Sequence, residues 1–410
     1  MKIMIMGAGG QGAPCASILS RDPDVKEIKL CDIDLELLKK IERKIDSSKI
    51  TIEKVDASRV DEIKNALVGM DAVIDLVTPM FFTNVMEAAF KAKAHYVNTA
   101  WEEYLFENFE KEDVQLGAKL KMNDEFSDKG LTAILGCGMT SGYASNVIAR
   151  YYVDKLDTVE SIKFRLAKKN TTINDDEEIL HPWNPGWNPK QAVLDHVVPS
   201  YKFSDGEFIK IEGIFAEPEL WEFPEPIGKT LVSHHSHEEP FCVPHTFASK
   251  GLKYCDFKYY VNKQIAPIIS LGLGQEEKII IKGVEISPLD VVLHFVPEPG
   301  DAFLNEDPSK FKHLDETTIV SIMQEIKGVK DGKEITYSIH IPNMNAPRQK
   351  LYDAYGTSLI AVALPAVVGV KMAIEGTEKG VIAPQDMDPN RFFELMEKGG
   401  FEHRWEEKIF

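Results

Sequence analysis

Residues 1–12 read MKIMIMGAGGQG, a largely apolar run followed by four glycines. Ile3 to Met6 predict a buried strand, and Gln11 to Leu19 predict the helix that follows it. The first, second and fourth glycines fit the pattern G-x-G-x-x-G, which bends the chain tightly and lets a pyrophosphate approach the backbone. The stretch therefore predicts a dinucleotide-binding turn, although glycines also mark ordinary strand-to-helix turns. The predicted contacts are Gly7, Gly9, Gly10, Gln11 and Gly12.

A second predicted strand, Glu27 to Cys31, is followed by Asp32, 20 residues beyond the last glycine of the pattern. A carboxylate at this place accepts hydrogen bonds from an adenosine ribose and repels a 2′-phosphate, so it favours NAD over NADP. We therefore predict that NAD is the cofactor and that Asp32 and Ile33 contact it. The alternative is that Asp32 only caps the helix predicted for Leu35 to Lys44.

The first 135 residues alternate short apolar runs with amphipathic ones. This alternation predicts an α/β Rossmann domain with a doubly wound parallel sheet. Ligands of such sheets lie beyond the carboxyl ends of the strands, so further strand ends join the predicted cofactor cleft. Their residues are Asp56, Ala57, Thr78, Pro79, Asn98, Thr99, Gly138 and Met139.

The pattern changes after Gly136, where strand-like runs no longer alternate regularly with helices. Two predicted strands, Thr318 to Ile326 and Ile335 to Ile341, are joined across Lys330-Asp331-Gly332-Lys333, a hairpin signal. These runs predict a second, α+β domain with a mainly antiparallel sheet. Three other predicted strands are Thr158 to Leu166, Phe208 to Ile214 and Lys278 to Lys282. A long apolar helix is predicted from Leu351 to Glu375.

The bulk composition narrows the class of protein. A chain of 410 residues favours two domains, and 44% hydrophobic with 27% charged residues is typical of a soluble globular protein. The formal net charge of −18 disfavours nucleic acid as a partner. No apolar run is long enough to predict a membrane span. Five cysteines without C-x-x-C spacing predict reduced thiols, so we expect a cytoplasmic protein.

Several short motifs, in this order, resemble those of the saccharopine dehydrogenase-like family over nearly the whole chain. This family includes saccharopine reductases, carboxynorspermidine dehydrogenases and lysine 6-dehydrogenases. The chain departs from the family motifs at Asn98, Ser141 and His245, where the family has Asp, Pro and Arg. The motifs are His95–Thr99, Gly138–Gly142, Trp187–Pro189 with Leu194-Asp195, His237–Pro240 with Pro244-His245, Lys330–Lys333 and Gly380–Pro384.

The resemblance implies an NAD-dependent oxidoreductase that acts on the C–N bond of a small amino acid or amine. It also implies a discontinuous Rossmann domain, 1–138 with 351–410, and a substrate-binding and dimerisation domain, 139–350. We therefore expect a homodimer. Two alternatives stay open. One is the reductive condensation of an amine with an aldehyde or keto acid, and the other is a catalytically silent NAD-binding protein.

The densest group of proton carriers is Ser233–Glu239, which contains three histidines and two glutamates. Imidazoles titrate near neutrality, so we predict that His237 and Glu239, in the family-matched part, are catalytic. Histidine and carboxylate ligands also suit Zn²⁺ or Fe²⁺, and a plain polar loop is a third reading. The family reaction needs no metal, and we predict none.

Four residues are predicted to contact the substrate. Trp101 and Glu102 follow the fifth predicted strand, where substrate should meet cofactor, although Glu102 could simply begin a helix. Trp187 belongs to the second of two W-N-P units in residues 182–189, which form either a lid over the substrate or a surface loop. His245 replaces the arginine of the family motif, which puts the familiar substrates in doubt.

Overall fold

A computed structural model describes residues 1–100, 120–173, 183–185, 188–296, 302–342, 346–398, 401 and 405–410. Within these ranges, seven parallel strands form one sheet. The strands Ala72–Asp75 and Lys2–Met6 are buried almost throughout, as expected where helices cover both faces of a parallel sheet. The order across the sheet is Gly380–Ile382, Thr132–Ile134, His95–Asn98, Ala72–Asp75, Lys2–Met6, Glu27–Asp32 and Ile50–Lys54.

A second, mixed sheet contains nine strands in the part of the chain that the structure describes. One described pair, Tyr254–Tyr260 with Thr158–Asn170, is parallel, and the other described pairs are antiparallel. Its main order is Glu219–Glu222, Lys229–His234, Tyr254–Tyr260, Thr158–Asn170, Thr318–Lys330, Lys333–Pro342 and Glu406–Ile409, and Ser200–Ser204 joins Tyr254–Tyr260 to Glu207–Ile211. The predicted fold class, a Rossmann sheet with a mainly antiparallel second sheet, is confirmed.

The C-terminal part of the chain contributes to both sheets. Gly380–Ile382 pairs with the Rossmann strand Thr132–Ile134, whereas Glu406–Ile409 pairs with Lys333–Pro342 in the second sheet. The helix Ala363–Glu375 packs against the strand His95–Asn98. The predicted domain division, 1–138 with 351–410 and 139–350, remains a prediction.

Two predicted elements differ from the structure. The helix predicted from Leu351 to Glu375 is interrupted, because Gly356 has a φ of +73° and ends the helix Arg348–Tyr355 in a left-handed conformation. A second helix then begins at Ala363. The strand predicted at Lys278 to Lys282 is present as Ile279–Ile281, but it pairs with Val284–Ile286 in a separate hairpin.

The helices connect and cover the strands, and none of those described is long and apolar enough to cross a membrane. A π-helical segment, Met139–Val147, leads from the Rossmann sheet towards the second sheet. The α-helices are Gly12–Arg21, Leu35–Ile45, Val60–Ala66, Phe82–Ala92, Asn123–Asp128, Ile148–Val153, Pro189–Val197, Glu239–Phe247, Ala266–Ser270, Pro288–Phe295, Phe311–Thr317, Arg348–Tyr355, Ala363–Glu375 and Pro389–Lys398.

Candidate active site

The glycine turn has the shape that an anion-binding loop needs. Gly7 has a φ of +97°, and a Cβ on Gly12 would lie 1.8 Å from the carbonyl oxygen of Gly7, so both positions require glycine. By contrast, a Cβ on Gly9 or Gly10 would meet no described atom within 4 Å. The backbone of these two residues is exposed just before the helix Gly12–Arg21 begins. An open backbone at a helix N-terminus binds phosphate well.

Asp32 supports the turn from the neighbouring strand. One oxygen of its carboxylate accepts a hydrogen bond from the Ala8 N–H at 2.7 Å, and the other accepts from the Asp34 N–H at 2.9 Å. Asp34, not Asp32, caps the next helix, because its side chain accepts from the N–H groups of Glu36 and Leu37. The alternative that Asp32 is the helix cap is therefore wrong. Ile33 beside it is 61% exposed.

The other predicted cofactor residues lie at the carboxyl ends of the parallel strands, but their environments differ. Thr78 is exposed and begins the short helix Pro79–Phe81, while Asp56 accepts a hydrogen bond from the Ser58 N–H at 2.8 Å. The Ala57 carbonyl accepts from the Asn84 amide. Thr99 is half-buried.

Asn98 is fully buried beneath this edge of the sheet. Its side-chain oxygen accepts from the Gly136 N–H at 2.8 Å, and its amide donates to the Tyr96 hydroxyl, which in turn donates to Asp75 at 2.8 Å. Burial raises the pKa of Asp75 to about 7. The Asn98 side chain thus ties two strands together, a role that strand spacing alone did not reveal.

The turn fits a dinucleotide by its own geometry. Besides the open glycine backbone, the side-chain oxygen of Gln11 is buried without a hydrogen-bond partner in the described residues. The helix that starts here has no side-chain cap either, although the Ala13 N–H donates to the Gly9 carbonyl oxygen at 3.3 Å. Gly9, Gly10, Gln11 and Asp32 are the residues that would hold the cofactor.

The segment that follows Gly138 joins the two sheets. A Cβ on Gly138 would lie 3.0 Å from the Thr99 carbonyl oxygen, so the chain passes close to the end of the strand His95–Asn98. The π-helical segment Met139–Val147 then packs on the second sheet, where the Gln324 amide donates to the Ser145 carbonyl oxygen at 3.1 Å. Short π-helical segments are rare and frequent at functional sites.

His237 and Glu239, the predicted catalytic pair, are in contact. His237 Nδ1 is hydrogen-bonded to the Glu239 carboxylate, and it also lies 3.2 Å from a carboxylate oxygen of Glu238. Because a carboxylate only accepts, Nδ1 carries the proton. The His237 ring stacks on Phe257, with 4.1 Å between ring centroids, and its side chain is 20% exposed.

The surroundings of His237 hold it in the cationic form. Burial lowers the pKa of His237, but the charges of Glu239 and Glu238 and the bond to Glu239 raise it to about 10. Burial raises the pKa of Glu238, and the charge of Glu239 adds to that rise. At neutral pH the raised pKa therefore favours the protonated form of His237.

Asp195 is a second acid of the site, which the sequence showed only as part of a family motif. It lies on the helix Pro189–Val197 and accepts a hydrogen bond from the Gln191 side chain at 2.6 Å. Burial raises the pKa of Asp195 to about 7, although the nearby positive charge of His237 opposes the rise. A carboxyl group of this kind exchanges protons near neutrality.

Two further histidines form a neutral group beside it. The rings of His196 and His235 lie edge to face, with centroids 4.7 Å apart, and His235 lies 4.9 Å from the Tyr259 ring. Burial lowers the pKa of His196 to about 4 and that of His235 well below its usual range. They contribute polar but uncharged surface.

A cavity of about 620 Å³ collects these groups on the second sheet. Thr140, directly after the segment Gly138–Met139, reaches its wall and brings the Rossmann sheet next to it. The imidazole and carboxyl residues in its lining are Asp195, His196, His235 and His237. The cavity therefore has the size of a small-molecule site, and proton-transfer groups lie in its wall.

Of the four predicted substrate residues, the structure describes His245 alone. Trp101, Glu102 and Trp187 lie outside the described residues. The first W-N-P unit, Trp183–Pro185, lines the cavity. His245 lies on the helix Glu239–Phe247 and is not part of the cavity lining formed by the described residues, and burial lowers its pKa.

Three ligand atoms of His237, Glu238 and Glu239 lie within 4.8 Å of one another, close enough to hold a metal ion. A metal at Nδ1 would have to displace the proton that Nδ1 shares with Glu239. A His237 pKa of about 10 opposes that loss at neutral pH. The three residues lie close enough either to form an ion pair or to hold a metal ion, so the absence of a metal stays a prediction.

The glycine turn and the parallel sheet fit a domain that binds a pyridine nucleotide, and the second sheet carries the cavity. Residues 3–134 match the family described as the saccharopine dehydrogenase NADP binding domain. The resemblance predicted from the motifs is confirmed.

Two curated relatives align over nearly the whole chain. Carboxyaminopropylagmatine dehydrogenase of Synechocystis sp. is 23% identical over 100% of this chain and 98% of the relative. Carboxynorspermidine synthase of Vibrio cholerae is 24% identical over 97% of this chain and 94% of the relative. Both names describe enzymes of carboxylated polyamines.

Two solved structures share the fold. Apo saccharopine dehydrogenase (L-Glu forming) from Saccharomyces cerevisiae matches with a TM-score of 0.68 and 13% identity, over 99% of both chains. Homospermidine synthase from Legionella pneumophila, solved with NAD, matches with a TM-score of 0.61 and 13% identity, over 100% of this chain and 91% of the other. At this identity the likeness concerns the fold alone.

Proposed function

We propose that the protein catalyses the reductive joining of an amine to an aldehyde or keto acid, and the reverse oxidation of the product. The observation that carries this proposal is the cationic His237, held by Glu239 in the wall of the cavity. Reduction of an imine consumes a proton at nitrogen, which a protonated imidazole supplies. The relatives named for carboxynorspermidine and carboxyaminopropylagmatine support the same direction.

The atoms and protons exchanged in this reaction indicate what the residues of the chain must do. Condensation of a primary amine with a carbonyl releases water and gives an imine, and addition of a hydride and a proton gives a secondary amine. The nicotinamide cofactor supplies the hydride when it is bound. We propose that His237 donates the proton to nitrogen, that Glu239 holds its ring, and that Asp195 exchanges protons during condensation. Oxidation of a simple amino acid, the reaction first expected, uses the same groups in reverse.

We propose NAD(H) as the cofactor. The family is named for NADP, whereas Asp32 supports NAD because its carboxylate would repel a 2′-phosphate. A second carboxylate, Asp34, lies two residues away. Trp101, Glu102 and Trp187 remain proposed substrate contacts. The homodimer and the division of the chain into two domains are also proposals.

The test is an assay of NADH formation at alkaline pH with carboxynorspermidine, carboxyaminopropylagmatine, saccharopine and lysine. The proposal predicts turnover of at least one carboxylated secondary amine and none of lysine. Turnover of lysine alone would favour an amino acid dehydrogenase. Tight NADH binding without turnover of any compound would favour a silent NAD-binding protein.

A further inference from the structure

The cavity has two chemically different ends. Alternate residues of a strand share a face, so Phe164, Leu166 and Lys168 of the strand Thr158–Asn170 point the same way. Phe164 pairs with Phe257 and Leu166 with Tyr259 on the neighbouring parallel strand. His237 stacks on Phe257, and His235 lies against Tyr259. The floor of the cavity therefore runs from His237, past Tyr259, to Lys168.

The distance along this floor suits a small extended substrate. A strand rises about 3.3 Å per residue, so the backbone of Lys168 lies about 13 Å beyond the level of Phe164 and of the His237 ring. Thr140 marks the Rossmann side of the cavity, and Ser141 beside it is hydrogen-bonded to Glu238 at the His237 end. The His237 end is thus the one next to the cofactor domain.

Lys168 has the environment of a ligand-binding charge. It is half-buried, it lines the cavity, and no ion pair or hydrogen bond of its side chain is present among the described residues. Burial lowers its pKa, and no opposite charge in the part of the chain that the structure describes offsets that effect. A buried charge without a partner costs free energy that a bound anion would recover.

The surrounding charges favour an anion at this end. Lys169, Lys229 and Lys263 also line the cavity, and Lys169 and Lys263 make contacts of their own within the chain. In the described part of the lining, Asp195 is the one acidic residue, and it lies near His237. The cavity therefore offers positive charge to one end of a ligand and acid–base groups to the other.

We infer that Lys168 binds a carboxylate of the substrate, at the end of the cavity opposite His237. The inference rests on the proposed function, which identifies the substrate as an amine. It adds that the cavity selects carboxylated polyamines over polyamines without a carboxylate. The arginine that the family motif has at residue 245 is absent, and Lys168 lies on a different element of the fold.

The test uses two ligands that differ by one carboxylate, carboxynorspermidine and norspermidine. Calorimetry on the full-length protein with saturating NADH, which cannot oxidise either ligand, should show tighter binding of the carboxylated ligand. Lys168→Met should weaken its binding roughly 10- to 100-fold and leave norspermidine unchanged, the size expected for a charged hydrogen bond. Lys168→Arg should restore most of the preference.

The matched control is Lys163→Met on the same strand. Lys163 points to the opposite face and pairs with Glu325 at 2.8 Å, so this change should not alter either affinity. Because Lys168 lacks an ion pair in the described chain, Lys168→Met should also unfold at no lower temperature than the wild type. A clear loss of thermal stability would show that Lys168 is paired within the chain and would overturn the inference.

The remaining outcomes separate this inference from the proposed function. An unchanged preference for the carboxylated ligand in Lys168→Met, or equal wild-type affinities for the two ligands, overturns the role of Lys168 even if turnover is observed. A preference that depends on Lys168, without NADH formation from any amine, supports the anchor and contradicts the proposed reaction.

Discussion

The charged and polar side chains on the two faces of the second sheet differ in how completely they are paired. On one face, Arg165 is buried and donates two hydrogen bonds to Asp256, at 2.7 and 3.0 Å, and one to Glu219 at 2.6 Å. Tyr254 also donates to Asp256, and the guanidinium lies 4.9 Å from the centre of the Trp221 ring. These charges satisfy one another completely within the protein.

On the other face, the same two strands line the cavity, and their polar groups are incompletely paired. Buried atoms of His196, His235 and Glu239 have no hydrogen-bond partner in the described residues, and Lys168 has no ion pair there. A buried polar group without a partner destabilises the fold unless a ligand completes it. Arg165, Asp256 and Glu219 on one face are therefore paired within the chain, whereas the other face lines the cavity in which we propose that the substrate binds.

The largest expected effect is on the face that lines the cavity. His237→Ala should lower kcat roughly 10²- to 10⁴-fold, because it removes the proton donor, while the affinity for NADH stays close to that of the wild type. Steady-state kinetics and fluorescence titration of NADH measure the two quantities. A kcat within a factor of about three of the wild-type value would mean that another group transfers the proton.

The next effect concerns the face that carries Arg165. Arg165→Met should lower the free energy of unfolding by about 3–5 kcal/mol, because it leaves Asp256 buried without its partner. Urea unfolding measures this loss. The double variant Arg165→Met with Asp256→Leu is the control and should recover most of the stability. If the single variant were as stable as the wild type, the contrast between the faces would be lost.

A smaller effect is expected at the glycine turn. Asp32→Ser together with Ile33→Arg should shift the preference from NAD(H) towards NADP(H), because a repelling carboxylate is replaced and a cation is added. Some affinity should be lost for both cofactors, since Asp32 also binds the Ala8 N–H. Ratios of kcat/KM with the two cofactors measure the change. Equal use of both cofactors by the unmodified protein would count against this role of Asp32.

The last prediction concerns the pH dependence that Asp195 contributes to stability. Burial raises its pKa to about 7 in the folded chain, above an unfolded value of about 3.9. The stability linked to this group is therefore complete below about pH 4 and is lost as pH rises through 7. Asp195→Asn should remove this loss, so melting temperatures of variant and wild type should diverge between pH 4 and 7. If the melting temperatures of the variant and the wild type changed with pH in parallel, the Asp195 carboxyl group would be more exposed to solvent than this prediction requires.

The cofactor side of the molecule could be predicted because its signals are local. Gly7, Gly12 and Asp32 follow one another at fixed spacing in a strand, turn, helix and strand, and the structure gives each a matching contact. The hairpin at Lys330–Lys333 was equally local and is present between Thr318–Lys330 and Lys333–Pro342. The break at Gly356 was missed because the apolar pattern continues on both sides of it.

The cavity could be predicted only in part, since it is assembled from distant elements. His237 and Glu239 are two residues apart and could be found as a pair. Asp195 and Lys168 come from a different helix and a different strand, and each is an ordinary charged residue in its own segment. Only the pairing of Thr158–Asn170 with Tyr254–Tyr260 brings their surroundings together.

The most direct test of the cavity face as the site of reaction is a crystal structure with carboxynorspermidine and NADH, which cannot oxidise it. The account predicts that the secondary amine lies within hydrogen-bond reach of His237, directly or through one water, with the nicotinamide ring beside it. If His237 instead lies more than about 10 Å from nicotinamide C4, it is beyond that reach and the proposed role of His237 is contradicted.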